Sequence, residues 1–169
     1  MAEEIYKTKC NIKRRIERVK IKKVRNRNLL AVLLAKNITL PELAREIDVS
    51  LKSVERWIYR WRKPSAENID KICNFLDKTE CVLFGKKAYN KAHIKEGRIK
   101  IGYNQPVAQN RELLAGILLI EGLSFKEVCF NTSFTGEELK EIIFKGKEIS
   151  KEKMKELAEF INYPAFLLF

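Results

Sequence analysis

A single histidine, His93, stands in the chain, and its four cysteines (Cys10, Cys73, Cys81 and Cys129) form no Cys-x-x-Cys pair. That composition argues against a zinc site, which draws its ligands from clustered Cys and His. It also removes any histidine-based triad, and no glycine-rich phosphate loop is present. The carboxylate pairs Glu3/Glu4 and Glu137/Glu138 fall on a terminus and on a polar helix face, where they read as surface charge. The expectation is a non-enzyme without metal or cofactor. No apolar run is long enough to span a bilayer. The N-terminal stretch is charged and has no signal-peptide core, so a cytoplasmic, nucleoid-associated setting with reduced thiols is expected. Only the basic arm offers anything to a membrane surface. Cys73 and Cys129 fall on apolar helix faces and are read as small core residues.

Acidic residues are the next shortage, 22 against 34 lysines and arginines for a net charge of +12. Its distribution is uneven. Residues 1–27 carry eleven cations against three acids, 28–85 nine against eight, 86–109 six against one, and 110–169 eight against ten. The excess therefore sits in an N-terminal arm and in a connector, which points to a polyanionic partner. Residues 1–27 read in two ways. Ile5, Ile12, Ile16, Val19 and Val24 can form the narrow apolar stripe of a basic helix, whereas Val19-Lys20-Ile21-Lys22 alternates like a strand. The arm can lie along phosphates or reach a minor groove, or it can be an ordinary solvated terminus.

Between the two basic segments the pattern is helical. Leu29, Val32, Leu33 and Leu34 give a first helix with one wide apolar face, ended by Asn37-Ile38. Thr39 and Glu42 form a capping box for a second helix, with Pro41 in its first turn. Leu43, Ala44 and Ile47 are its buried side. Asp48 stands at a tight turn that needs positive φ, which Asp tolerates. Ser50 caps a third helix with Val54, Trp57 and Ile58 inward and Leu51, Lys52, Glu55 and Arg56 outward. Arg60-Trp61-Arg62-Lys63-Pro64 is a basic loop, in which Trp61 either adds a contact or covers the edge of a fourth helix. Ser65 caps that helix, Glu67 suits its first turn, and Ile69, Ile72, Cys73 and Leu76 face inward. Val82, Leu83 and Phe84 close the unit as a short fifth helix before Gly85. Within the connector, residues 93–101 can form a small hairpin turning at Glu96-Gly97. There His93 reads as a surface imidazole, while Tyr103 and Pro106 either pack locally or mark a linker.

The second half repeats the first. A shift of 85 residues lays 29–84 over 114–169 without a gap, and Leu29, Leu33, Leu34, Glu42, Ser65, Glu67, Phe75, Leu83 and Phe84 meet identical residues. Val54 meets Leu139, Trp57 meets Ile142 and Ile72 meets Leu157. The caps recur as Ser124 with Glu127 and as Ser150. This is an internal duplication of about one domain length.

Residues 28–85 resemble the lambda-repressor/Cro-like helix-turn-helix family. The resemblance rests on TLPELAREIDVSLKSVERW, then RKPS, an apolar helix and a closing VLFG. Residues 110–169 resemble the same family more weakly, through GLSFKEVCFNTSFTGEELKEIIFKG and FLLF. The resemblance implies an all-α chain of two five-helix bundles in tandem, 28–85 and 110–169, joined by a basic connector. It implies that the third helix, 51–60, enters the major groove of double-stranded DNA. Carried onto this sequence, the base-reading positions are Leu51, Lys52, Glu55 and Arg56. Lys52 or Arg56 would bond guanine, and Leu51 would touch a thymine methyl. Ser50, Ser53, Arg60, Arg62 and Lys63 would meet phosphate. Where the family often has Gln at the start of the second helix, this chain has Leu40, which leaves backbone N–H groups for that phosphate. Where the family usually has Gly after the third helix, this chain has Arg60.

The second copy has Gly136, Glu137, Glu138, Lys140 and Glu141 on the corresponding face. Its acidic character favours assembly over DNA reading. The apolar end, Tyr163 to Phe169, can leave an exposed patch around Phe166. The leading expectation is a sequence-specific regulator of transcription that works as a homodimer or other oligomer through the C-terminal domain. The competing one is a protein-interaction or oligomerisation module, as in plasmid or phage accessory proteins and antitoxins, with largely non-specific DNA affinity.

Overall fold

The structure is a computed structural model and describes residues 24–60, 62–85 and 103–169. Residues 1–23 of the expected arm over 1–27, the hairpin over 93–101, and Trp61 lie outside the described residues. All regular elements among the described residues are helical. They are α1 (Arg27–Ala35), α2 (Leu40–Glu46), α3 (Leu51–Tyr59), α4 (Ala66–Leu76), α5 (Glu80–Phe84), α6 (Glu112–Glu121), α7 (Phe125–Asn131), α8 (Gly136–Lys145), α9 (Lys151–Phe160) and α10 (Ala165–Leu168). A turn of 3-10 helix, Gln109–Arg111, leads into α6. The first residues of α1 to α5 are 27, 40, 51, 66 and 80, and those of α6 to α10 stand 85 later in each case.

Local chemistry explains most helix starts. Asn26 caps α1 by accepting from the Leu29 N–H at 2.9 Å, and its amide donates to the Leu83 carbonyl, tying α1 to α5. Thr39 and Glu42 form the expected capping box, and Ser124 with Glu127 repeats it on α7. Ser50, Ser65 and Ser150 cap α3, α4 and α9. Thr135 and Glu138 add a third capping box at α8. Helix-ending turns repeat as well. Asn37 and Gly122 take positive φ, as do Asp77 and Asn162. Asp48 takes φ 55° at the α2–α3 turn, where its short polar side chain makes the left-handed conformation tolerable.

Two boundaries differ from the sequence expectation. Val24 is buried, and the Arg25 N–H donates to the Ile58 carbonyl at 2.8 Å. Residues 24–27, read as the end of the arm, therefore pack with the helices. Tyr103, which the sequence left either to pack locally or to mark a linker, packs on the second group of helices, so that group begins before residue 110. The Tyr103 hydroxyl donates to the Ala115 carbonyl at 3.1 Å, and its ring meets Phe125 and Phe144.

A third difference concerns α1 itself. It is buried on all sides, with Leu34 alone half-buried, rather than on one wide face. The reason is α6, whose residues Glu112–Ile120 are all buried as well. Both helices are apolar all round, as befits helices covered on every side, and they pack against each other. A Cβ on Gly116 would lie 1.9 Å from the Ala31 carbonyl oxygen, so only glycine allows this approach. One continuous apolar core runs through both groups, from Leu29, Leu43, Val54 and Ile58 to Leu114, Val128, Leu139 and Ile143. Cys73 and Cys129 are half-buried at its edge rather than inside it, and Cys81 is exposed.

Candidate nucleic-acid interface

The α2–turn–α3 segment is held from beneath. Leu43, Ala44 and Ile47 of α2 and Val54, Trp57 and Ile58 of α3 are buried, which fixes the two helices on the core. The opposite side of α3 is then fixed by helical period. Leu51, Lys52, Glu55 and Arg56 lie together there, with Leu51 41% exposed, Lys52 and Glu55 exposed and Arg56 half-buried. The four expected base-reading positions thus share one face. An exposed leucine at the start of a polar helix face has no packing reason to be there, but it suits contact with an apolar base edge.

Charge on this face is uncommitted. Neither Lys52 nor Arg56 is in an ion pair with any carboxylate among the described residues. Tyr59 is half-buried beside Glu55. Burial, and then the Glu55 carboxylate, push its hydroxyl pKa up, so the phenol stays neutral.

The expected phosphate contacts divide. Arg60 and Arg62 are exposed after α3. Lys63 is exposed too, but it holds Glu80 at 2.8 Å. Ser50 accepts from the Ser53 N–H as the cap, and the two hydroxyls lie 2.9 Å apart. The start of α2 is less open than expected. Thr39 gives its N–H and hydroxyl to the Glu42 carboxylate, and the Glu42 N–H goes to Thr39 Oγ1. Pro41 has no N–H, so within Thr39–Glu42 only the Leu40 N–H is left. The hydrogen bonds from Thr39 also hold Glu42 below the ordinary carboxylate range, keeping a negative charge there. The capping box that starts the helix therefore competes with a phosphate.

The corresponding helix of the second group, α8, is arranged differently. Glu137 pairs with Lys140 at 2.6 Å, Glu138 with Lys153 at 2.6 Å, and Glu141 with Lys147 at 2.6 Å and Lys145 at 3.5 Å. Glu138 is pulled down to about 2, first by its Lys153 hydrogen bond and then by the Thr135 N–H. Its acids are neutralised within its own half.

Among the described residues no group of His, Cys, Asp or Glu could hold a metal ion. No helix among them is long and apolar enough to cross a membrane.

Residues 28–79 match the family model of the Cro/C1-type helix-turn-helix DNA-binding domain. The match takes in most of α1 and all of α2, α3 and α4, and it ends where α5 begins. It supports DNA binding by this segment, which contains α2 and α3. No curated protein matches the chain, and no solved structure does.

Sequence reasoning missed Arg27. It was counted among the cations of the arm, yet it is 6% exposed, paired with Glu121 and lying over the Tyr163 ring at 5.0 Å. A signal was present. Under the 85-residue shift Arg27 meets Glu112 and Lys36 meets Glu121, so the charge reverses at both positions.

Proposed function

We propose that the chain is a non-enzymatic, sequence-specific double-stranded DNA-binding regulator of transcription. Helix α3 lies in the major groove, Lys52 and Arg56 choose bases, Leu51 and Glu55 complete the reading face, and Arg60 and Arg62 hold the backbone. The observation that carries this reading is the outward face Leu51/Lys52/Glu55/Arg56 on the third helix of a matched Cro/C1-type segment, its two cations uncommitted among the described residues. Guanine presents two acceptors in the major groove, and a well-placed Arg or Lys discriminates it by about 1–3 kcal/mol.

We further propose that residues 110–169 are a second, diverged copy of the same bundle. The uniform 85-residue offset of the helix starts and the recurring caps support this. This copy serves assembly rather than reading, because its α8 carries acids where α3 carries cations. The cations of α8, Lys140 and Lys145, are paired with its own acids, which leaves little to displace counterions from DNA, where most of the affinity arises.

Selection from a random duplex library tests the reading. A recovered motif of a few adjacent base pairs is expected. A library that returns no enrichment while salt-dependent binding persists would leave the non-specific interaction module as the better account.

A further inference from the structure

The contacts between α1 and α6 are reciprocal. Ala31 and Gly116 are equivalent under the 85-residue shift, and they touch each other. Arg27 pairs with Glu121, and Lys36 pairs with Glu112 at 2.8 Å. Each pair joins the position at the start of one helix to the position at the end of the other. Position 78 takes part in the same way. Lys78 lies 2.9 Å from Glu112, while its equivalent, Tyr163, carries the Arg27 guanidinium over its ring. Tyr163 also donates to Asn28 across the interface. Contacts that exchange partners in this manner are those of a two-fold, self-complementary interface.

The charges are not self-complementary. The first half supplies cations at both rim positions, Arg27 and Lys36, and the second supplies carboxylates at both, Glu112 and Glu121. Two first halves joined this way would set Arg27 against Lys36. Two second halves would set Glu112 against Glu121. Glu112 is 5% exposed and Arg27 6%, so solvent would screen little of that repulsion.

We infer that α1 and α6 form an internal pseudo-dimer interface whose sorted charges make each half the partner of the other half of the same chain, and reject a second copy. The face through which a homodimer would form is already covered from within. The assembly role of residues 110–169 is thereby turned on the first half. The chain is a monomer of 19.8 kDa. Resting on the DNA reading proposed above, it carries one basic reading helix per molecule and recognises a single, non-palindromic site.

Sedimentation equilibrium of the full chain, together with a cycle on the Arg27–Glu121 pair, tests this. The parent is expected to sediment as a monomer at micromolar concentration. Arg27→Glu and Glu121→Arg should each lower the urea midpoint, and the doubly reversed chain should recover at least half of the summed loss. Should either single reversal fail to fold, Arg27→Gln and Glu121→Gln give the same cycle, with the double neutral chain less impaired than the two losses added. A parent dimer, or losses that simply add in the cycle, would overturn the inference. Both readouts are made without DNA, and Arg27 is too buried to serve as a phosphate contact. A failure here is therefore distinct from a failure of the DNA reading, which the library selection decides.

Discussion

Replacing Gly116 by alanine probes the helix crossing on which the whole arrangement rests. The added Cβ would stand 1.9 Å from the Ala31 carbonyl oxygen, 2.3 Å from its carbon and 2.6 Å from Cα. All three are backbone atoms, so no rotamer change relieves the clash. A carbon–oxygen contact needs about 3.3 Å, so α1 and α6 must part by roughly 1.4 Å at this point. A gap of that size forfeits at least about half of each dispersion contact of ~0.1–0.2 kcal/mol near the crossing, and less further along the helices. Over roughly 40 atom pairs this amounts to about 2–4 kcal/mol. Alanine recovers about 0.5–1 kcal/mol through its better helix propensity. The net expectation is a loss of about 1–3 kcal/mol, in the usual range for overpacking. Gly136→Ala is the control, because a Cβ there meets nothing within 4 Å. It should be neutral or stabilise by up to about 0.5 kcal/mol. Urea unfolding of the two variants gives both numbers. If Gly116→Ala is as harmless as Gly136→Ala, the close approach of α1 and α6 is wrong, and the reciprocal interface with it.

Three further outcomes are expected. Arg60→Ala and Arg62→Ala should each weaken binding evenly across DNA sequences and reduce the salt dependence by about one phosphate, measured as the slope of log affinity against log salt. The Glu138 carboxyl, which Lys153 and Thr135 pull down from 4.5 to about 2, should titrate near 2 by NMR and return toward 4.5 in Lys153→Ala. Because its pKa is depressed in the folded chain, its contribution to stability is full above the unfolded carboxylate pKa and fades as pH falls toward 2. Burial pushes the Tyr163 hydroxyl up from 10 to about 12, with Arg27 and Asn28 pulling the other way. Its contribution should be present below pH 10 and lost as pH rises from 10 to 12, with tyrosinate absorbance appearing alongside opening of the α1–α6 interface.

What was legible in the sequence was local. Thr39 with Glu42, Ser50, Ser65 and Asp48 do their work within three or four residues, so the starts of α2, α3 and α4 and the tight turn could be read directly. The outward face of α3 followed from helical period once Val54, Trp57 and Ile58 were placed inward. What was hidden needed a distant partner. Arg27 reads as one more cation of a basic arm until Glu121 and Tyr163 are beside it. The second covered side of α1 was not legible without α6. Lys63 looks as free as Arg62 until Glu80 reaches it from α5. Glu138 reads as an outward acid because its role as a capping-box residue depends on Thr135 starting the helix where it does. Nor could the sequence weigh the α2 capping box against a phosphate, since the same residues serve either role.

In the proposed mode of binding, the outward face of α3 chooses sequence. The most direct test is the affinity of the parent, Lys52→Ala and Arg56→Ala for a selected duplex and for a shuffled duplex of equal length, at one salt concentration. A loss of about 1–3 kcal/mol is expected for Arg56→Ala or Lys52→Ala on the selected duplex, and a much smaller one on the shuffled duplex. Equal losses on both duplexes would show that these side chains meet phosphate and not bases, and would contradict that mode of binding.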